Sequence, residues 1–500
     1  MELKTAVERV KELQELLHAY DHAMGVIGYE LSTIAPKLAY IGASKTQSIL
    51  AAEQNKHFIN DEVRELLTFL DGHKAELDEQ TAAEVRELLK NFRQTELMPR
   101  EEIVEYRRFG SEIHEAWKKA RESNDYASYA PLFDKQIEWS LKIAGYANSK
   151  GMDTYDFMLD DFEEGFTTEV LDPFFDAIRA EIVPLIRDIQ TRGREIDDSF
   201  LHKEYPVEGQ RRLGEYIMEL MGLTRDVCTL EETVHPFSNS FNNKDSRMTT
   251  RYVINDLASS LYSVIHEGGH SLHSVHAADS LNGSAAAGAS NGMCESMSRF
   301  QENIVGRSRE FCEFLFPKVQ EIFPEQLAGV SAEQFWLAVN KVKPDLIRTE
   351  ADELTYCLHI MVRYELEKRI IAGTLKAADL PAEWNRLYKE YLGVDVPDDA
   401  RGVLQDIHWV GGGFGYFPSY AIGNAYGAQI LTGMLKEIDL FADLRRGDLS
   451  REIGWLREHV YQYGGVRKAV QIIPACSGEK FDVKYYIDYL KNKYTEIYGL

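Results

Sequence analysis

The sequence predicts a mainly α protein, one large helical body carrying a small β element. Three observations point there. Apolar residues recur at three- and four-residue spacing, with Glu, Lys and Arg between them, over residues 1–24, 58–95, 100–150, 169–192 and 208–222. The clearest interruption is 233–252, TVHPFSNSFNNKDSRMTTRY, where Pro, Ser, Asn and β-branched Thr replace that pattern and suggest short extended segments joined by a polar turn. Helical periodicity returns at about 255–276, 291–316, 332–371 and through the last third of the chain, broken by a glycine-rich run at 411–415. With no tandem repeat and no low-complexity linker, residues 1–500 read as a single domain.

Composition narrows the function classes. A chain that is 44% hydrophobic and 27% charged can bury a core and is not of the disordered type. Its formal charge of -25 repels phosphate backbones and anionic bilayers, which argues against nucleic acid and membrane partners. The five cysteines are odd in number and lack C-x-x-C spacing, so no disulfide framework is expected. The start, MELKTAVERVKELQELLHAY, offers no signal-peptide core, and no apolar run reaches the roughly 18 residues that span a bilayer. The expected location is a reducing cytoplasm.

The residues that carry chemistry begin at His266-Glu267-Gly268-Gly269-His270, an H-E-x-x-H motif. On a helix, i and i+4 share a face, so His266 and His270 can offer two imidazoles to one metal ion, and Glu267 can reach a water on it. Ile254, Leu257, Leu261, Val264, Ile265 and Leu272 form an apolar stripe around the motif, with Asn255 or Asp256 available as N-cap. The two glycines cost a helix interior about 2 kcal/mol relative to alanine, which suggests that something passes close to this helix. His273 and His276 read as supporting or surface residues. The run Gly411-Gly412-Gly413-Phe414-Gly415 is not a phosphate loop, having no Lys-Ser/Thr after it, and suits a flexible wall following Trp409.

A catalytic zinc site needs a third protein ligand and an open position. Position 276 does not fit the short metzincin spacing, which favours a glutamate from a following helix. Glu295, in GMCESMSRFQENIVGR with Met293, Met297, Phe300 and Ile304 as an inward stripe, is preferred over Glu302, two turns along. Its alternative role is an i,i+4 ion pair with Arg299.

Together, His235-Pro236-Phe237, Asp245-x-Arg247-x-Thr249, His266-Glu267-x-x-His270, Glu295-Ser296, Ile347-Arg348-x-x-Ala351-Asp352 and Gly402-x-x-Gln405-Asp406-x-His408-Trp409 resemble, in order and spacing, the M32 (carboxypeptidase Taq) family of metallocarboxypeptidases. The resemblance covers roughly residues 100–500 and is looser over 1–100. It implies a helical fold with a deep central groove, similar to neurolysin and angiotensin-converting enzyme, with the β element beside the metal site. It also implies a homodimer and removal of single residues from peptide C-termini with broad side-chain tolerance. Carried onto this chain, His266, His270 and Glu295 are the metal ligands and Glu267 the general base, with one divalent ion per chain, zinc first and cobalt or manganese as alternatives. By the same resemblance His408 and Tyr420 are donors to the oxyanion, with Tyr416 as runner-up, and Arg348 reads the substrate carboxylate unless it merely pairs with Asp352. Arg247, beside His235 in the extended segment, either holds peptide backbone at a strand edge or braces the site. One departure stands out: where the family usually reads His-Glu-Ser-Gln, this chain has Cys294-Glu295-Ser296-Met297. The competing readings are an oligoendopeptidase or dipeptidyl carboxypeptidase of the same fold, and a non-catalytic peptide-binding protein.

Overall fold

A computed structural model of the chain describes residues 2–500. Helices dominate it, and the β content is one three-stranded sheet, with β1 (Cys228–Glu232), β2 (Ser238–Asn242) and β3 (Asp245–Thr250). β3 is central, parallel to β1 and antiparallel to β2, so the order β1-β3-β2 leaves β2 at an edge. This is the small β element expected over 233–252, extended a few residues upstream by β1.

Several helix boundaries differ from those the periodicity suggested. The first runs Leu3–Ser32, past the expected end at 24, and Met1 lies outside the described residues. The stretch 58–95 divides into Asp61–Gly72 and Glu79–Glu96, with the first of these capped by the Asn60 side chain accepting from Val63 N. The stretch 100–150 divides where Asn124 takes a left-handed conformation, φ 54°, and Asp125 then caps the next helix. The helix expected over 332–371 is two, Ala332–Val339 and Glu353–Ile371; Pro344 removes a backbone donor in the intervening segment, which carries Arg348.

By internal packing the chain forms two compact units, each assembled from three segments. The first comprises 1–96, 197–339 and 430–479, and the second 97–196, 340–429 and 480–500. In the first, the helix carrying the H-E-x-x-H motif, Leu257–Val275, starts with Asp256 accepting from Ser259 N. Leu257, Leu261, Val264, Ile265 and Leu272 are all buried, each contributing about 1.5–3 kcal/mol, which outweighs what the two glycines cost. Ile254 departs from that stripe: it precedes the helix and is exposed. In the second unit, the helix Glu353–Ile371 is buried on nearly all sides and carries Arg363 and Glu367 one turn apart.

Candidate metal centre

The motif helix packs on the helix Asn291–Arg299 at backbone distance. A Cβ built on Gly269 would lie 2.6 Å from Ser298 Cα and 2.7 Å from the Met297 carbonyl oxygen, so only glycine admits this approach. The close passage anticipated from the paired glycines is therefore this helix. Met293, Met297, Phe300 and Ile304 turn into the core and leave Glu295 on the side of the histidines.

The approach brings His266, His270 and Glu295 together, with one ligand atom from each lying within 4.8 Å of the others. Glu295 Oε2 is 3.8 Å from His266 Nε2, and the two imidazoles meet edge to face with centroids 5.1 Å apart. Two imidazole nitrogens and a carboxylate oxygen are a donor set suited to a divalent ion with a position left open. Glu295 does not take the ion pair weighed for it, because Arg299 Nη1 donates instead to Glu302 Oε2 at 2.9 Å.

Glu302 sits where the helix winds on into a π-helical turn, Phe300–Val305. Its Oε2 lies 2.9 Å from His266 Nδ1, and Arg307 Nη2 reaches its Oε1 at 3.3 Å. Burial alone would raise the Glu302 pKa, yet Arg299, His266 and Arg307 outweigh it and hold the carboxyl well below its ordinary range. For His266 burial pulls down, but the Glu302 hydrogen bond and charge prevail and the pKa rises. Burial pushes His270 down to about 4, which keeps it neutral and available as a ligand. Its Nδ1 lies 3.4 Å from Cys294 Sγ, and burial pushes that thiol up to about 12.

Glu267 is buried beside these groups. Burial raises its pKa to about 7, against the opposing effects of His266 and of a hydrogen bond to Ser238 on edge strand β2. A carboxyl poised there can both accept and return a proton near neutral pH. The sheet is tied to the motif helix through Ser246 Oγ donating to Ser271 Oγ at 2.9 Å. Thr249 holds Phe237 by both its backbone N and its carbonyl oxygen, at 2.8 and 2.9 Å, which fixes the approach to β2.

Arg247 is on central strand β3 and so is not at the edge. It grips Asp245 at 2.9 and 3.0 Å and lies over Tyr29 and Phe241, bracing the first helix against the sheet. His235 is exposed on the segment just before β2. His273 is buried against Tyr461, and His276 stacks on the same ring.

The second unit gathers the remaining candidates. Arg348 pairs with Asp406, not with Asp352: its Nε and Nη2 donate to Asp406 Oδ1 at 3.2 and 3.1 Å, and Nη1 donates to the Tyr356 hydroxyl at 3.2 Å. Asp352 is occupied in capping the helix Glu353–Ile371. Arg363 Nε donates to the other Asp406 oxygen at 2.6 Å, so two buried guanidiniums share one carboxylate, and they hold its pKa low against burial. The Arg348 guanidinium lies over the Tyr420 ring at 5.1 Å. Tyr420 and Tyr416 hydroxyls are 3.2 Å apart, and His408 stacks on Tyr416. Burial takes His408 down to about 4, with the nearby guanidiniums in the same sense and Asp406 opposing. The glycine run next to it is a tight corner and not a loose wall. Gly415, at φ 86°, has Met158 backbone 2.7 Å from its would-be Cβ and donates its N–H to Glu367 at 2.8 Å.

Sequence reading alone missed Glu302 as the partner of His266 and Arg363 as the partner of Asp406. Arg299 and Arg307 flanking Glu302, and Arg363 following the run CLHIMV, were the available signals.

Comparison with known proteins shows which family the chain resembles along its length. A family model described as Carboxypeptidase Taq (M32) metallopeptidase matches residues 9–494. The chain is 36% identical over 502 residues to Carboxypeptidase 1 of Bacillus subtilis (strain 168), covering 100% of each. It is 32% identical over 480 residues to Thermostable carboxypeptidase 1 of Pyrococcus furiosus, covering 95% of this chain and 96% of that one. The crystal structure of an M32 carboxypeptidase from Deinococcus radiodurans R1 superposes with a TM-score of 0.95 at 34% identity, covering 99% of this chain and 100% of that chain.

Proposed function

This chain belongs to the carboxypeptidase Taq (M32) metallopeptidase family, and from that premise we propose that it removes single residues from the C-termini of peptides, with broad side-chain tolerance. The observation that carries the reading is the convergence of His266, His270 and Glu295 within 4.8 Å, with buried Glu267 next in sequence to the first of them.

In this reading His266, His270 and Glu295 would hold one divalent ion, and their N, N, O donor set would favour zinc, with cobalt or manganese able to replace it. When bound, the ion supplies Lewis acidity that makes water nucleophilic near neutral pH and polarises the scissile carbonyl. Glu267 takes the proton from the attacking water and returns it to the departing amine, a role supported by its burial next in sequence to His266. Glu302 fixes the His266 ring with Nδ1–H directed at its carboxylate. His408 and Tyr420 are the donors assigned to the developing oxyanion, with Tyr416 holding the Tyr420 hydroxyl. Arg348 reads the terminal carboxylate. Its support is the charge count, since Arg348 and Arg363 share Asp406 and leave positive charge for a ligand. Edge strand β2, just after His235, is suited to hold peptide backbone by strand addition, with Arg247 bracing it.

The family match runs through both units and supports treating 1–500 as one M32-type domain. A cytoplasmic setting is supported by the five cysteines, four of them buried, which form no disulfide among the described residues. Among the described residues no helix is long and apolar enough to cross a membrane. A homodimer follows from the family resemblance, and sedimentation of the purified protein tests it.

The catalytic assignment is tested by Glu267→Gln. It should keep its zinc content while losing at least about a hundredfold in kcat, within the range for a general base. Turnover retained in the zinc-loaded variant overturns the assignment.

A further inference from the structure

We propose that the Cys294 thiol is the positioning residue for His270, accepting a hydrogen bond from Nδ1–H and so presenting an unprotonated Nε2 to the metal ion. The proposal rests on the metal-site reading above and deepens it. An imidazole that ligates through one nitrogen carries its proton on the other, and whatever accepts that proton sets the ring's orientation.

For His266 the acceptor is Glu302 Oε2, at 2.9 Å. For His270 the atom facing Nδ1 is Cys294 Sγ at 3.4 Å, within hydrogen-bond reach for sulfur. The pair has two neutral arrangements. In one the thiol donates to Nδ1, Nε2 carries the hydrogen, and the ring cannot ligate. In the other Nδ1–H points at sulfur and Nε2 is open. Both hold the same number of protons, so a metal ion selects the second without proton uptake or release at this pair.

The packing keeps the thiol in place. Cys294 precedes Glu295 on the helix that Gly269 admits to backbone contact, with 2.6 Å from a would-be Cβ to Ser298 Cα. The same approach therefore sets both the reach of Glu295 and the Sγ–Nδ1 distance. A neutral thiol is a weaker acceptor than an ionised carboxylate, so the two histidine ligands are supported unequally, and His270 is the one whose support can be removed without stranding a buried charge.

The test uses metal-free full-length protein, with zinc affinity measured by competition against a chromophoric chelator for wild type, Cys294→Ser, Cys294→Ala and Cys294→Val. Ala and Val, which have no acceptor, should weaken zinc binding by about tenfold, the lower end for loss of a ligand's supporting partner. Ser, which keeps an acceptor, should lose no more than about threefold by the same scale. In 15N-histidine-labelled zinc-loaded protein, the His270 Nδ1–H should be protected from solvent exchange in wild type and Ser and lost in Ala and Val. A change confined to melting temperature, with all affinities within about twofold of wild type, overturns the proposal, as does a Ser variant as weak as Ala. His270→Ala separates the two levels, because if that variant still binds zinc like wild type, the site reading itself fails.

Discussion

Glu302 Oε2 lies 2.9 Å from Nδ1 of His266, while Glu295 Oε2 stands 3.8 Å from Nε2 of the same ring. One imidazole is thus flanked by two carboxylates with separate tasks, one facing the ligand cluster and one behind it. Glu302→Gln keeps the shape and removes the charge. It should weaken zinc binding by about 10- to 100-fold and lower the melting temperature, because Arg299 and Arg307 lose their shared anion. Chelator competition and thermal unfolding check the two effects.

Gly269→Ala tests the backbone approach. The added methyl meets Ser298 Cα and the Met297 carbonyl, neither of which can swing aside, so the helices must separate. A loss of about 1–3 kcal/mol in stability is expected from overpacking, together with weaker metal binding as Glu295 retreats. Urea unfolding of the metal-free protein gives the first, and zinc titration the second.

Glu452 gives a pH-dependent stability signature away from the metal. It accepts from Gln301 Nε2 at 2.6 Å through one oxygen, while its other oxygen is buried without a hydrogen-bond partner among the described residues. Burial raises its pKa to about 8, with Gln301 opposing. The folded state therefore binds this proton more tightly than the unfolded state. The resulting stability is fully present below the ordinary carboxyl pKa near 4.5 and is lost as pH rises through about 8. Glu452→Gln should melt close to wild type at pH 5 and increasingly above it towards pH 9. Taking the difference removes the opposite trend from His270 and His273, whose lowered pKa values add stability as pH rises through the histidine range. A flat difference would show that Glu452 titrates normally.

Asp406→Asn leaves Arg348 and Arg363 buried without their shared counter-charge. The expected cost is about 3–5 kcal/mol of stability, read from denaturant unfolding. Arg348→Gln removes only one of the two guanidiniums and should be better tolerated. It should lower kcat/KM for peptides with a free C-terminus by about tenfold or more, the scale of a lost charge-assisted contact.

Much of this architecture is legible in the amino-acid sequence because helical spacing is a local property. The i,i+4 relation of His266 and His270, the stripe from Leu257 to Leu272 and the inward face of Met293 and Met297 all follow from the 3.6-residue period. Even the closeness of another element is readable, since paired glycines inside a helix are costly without such a reason. What is not legible depends on contacts between distant segments. Arg348 takes Asp406 and leaves Asp352 to cap a helix, a choice that rests on how 340–352 is laid down after Pro344. Arg247 reads as an edge residue because the strand order, with β3 central, cannot be inferred from three short polar strands. Glu302 reaches His266 from a π-helical turn, Phe300–Val305, which no periodicity announces. The fold itself matches the family expectation of a helical metallopeptidase.

The most direct test of the central claim is mass spectrometry of a peptide mixture, each peptide present with a free and with an amidated C-terminus, after incubation with zinc-loaded protein and with its Glu267→Gln variant. The account predicts ladders of single-residue losses from free C-termini, absent from the amides and from the variant. Internal cuts, two-residue steps, or equal cleavage of amidated and free peptides would contradict it.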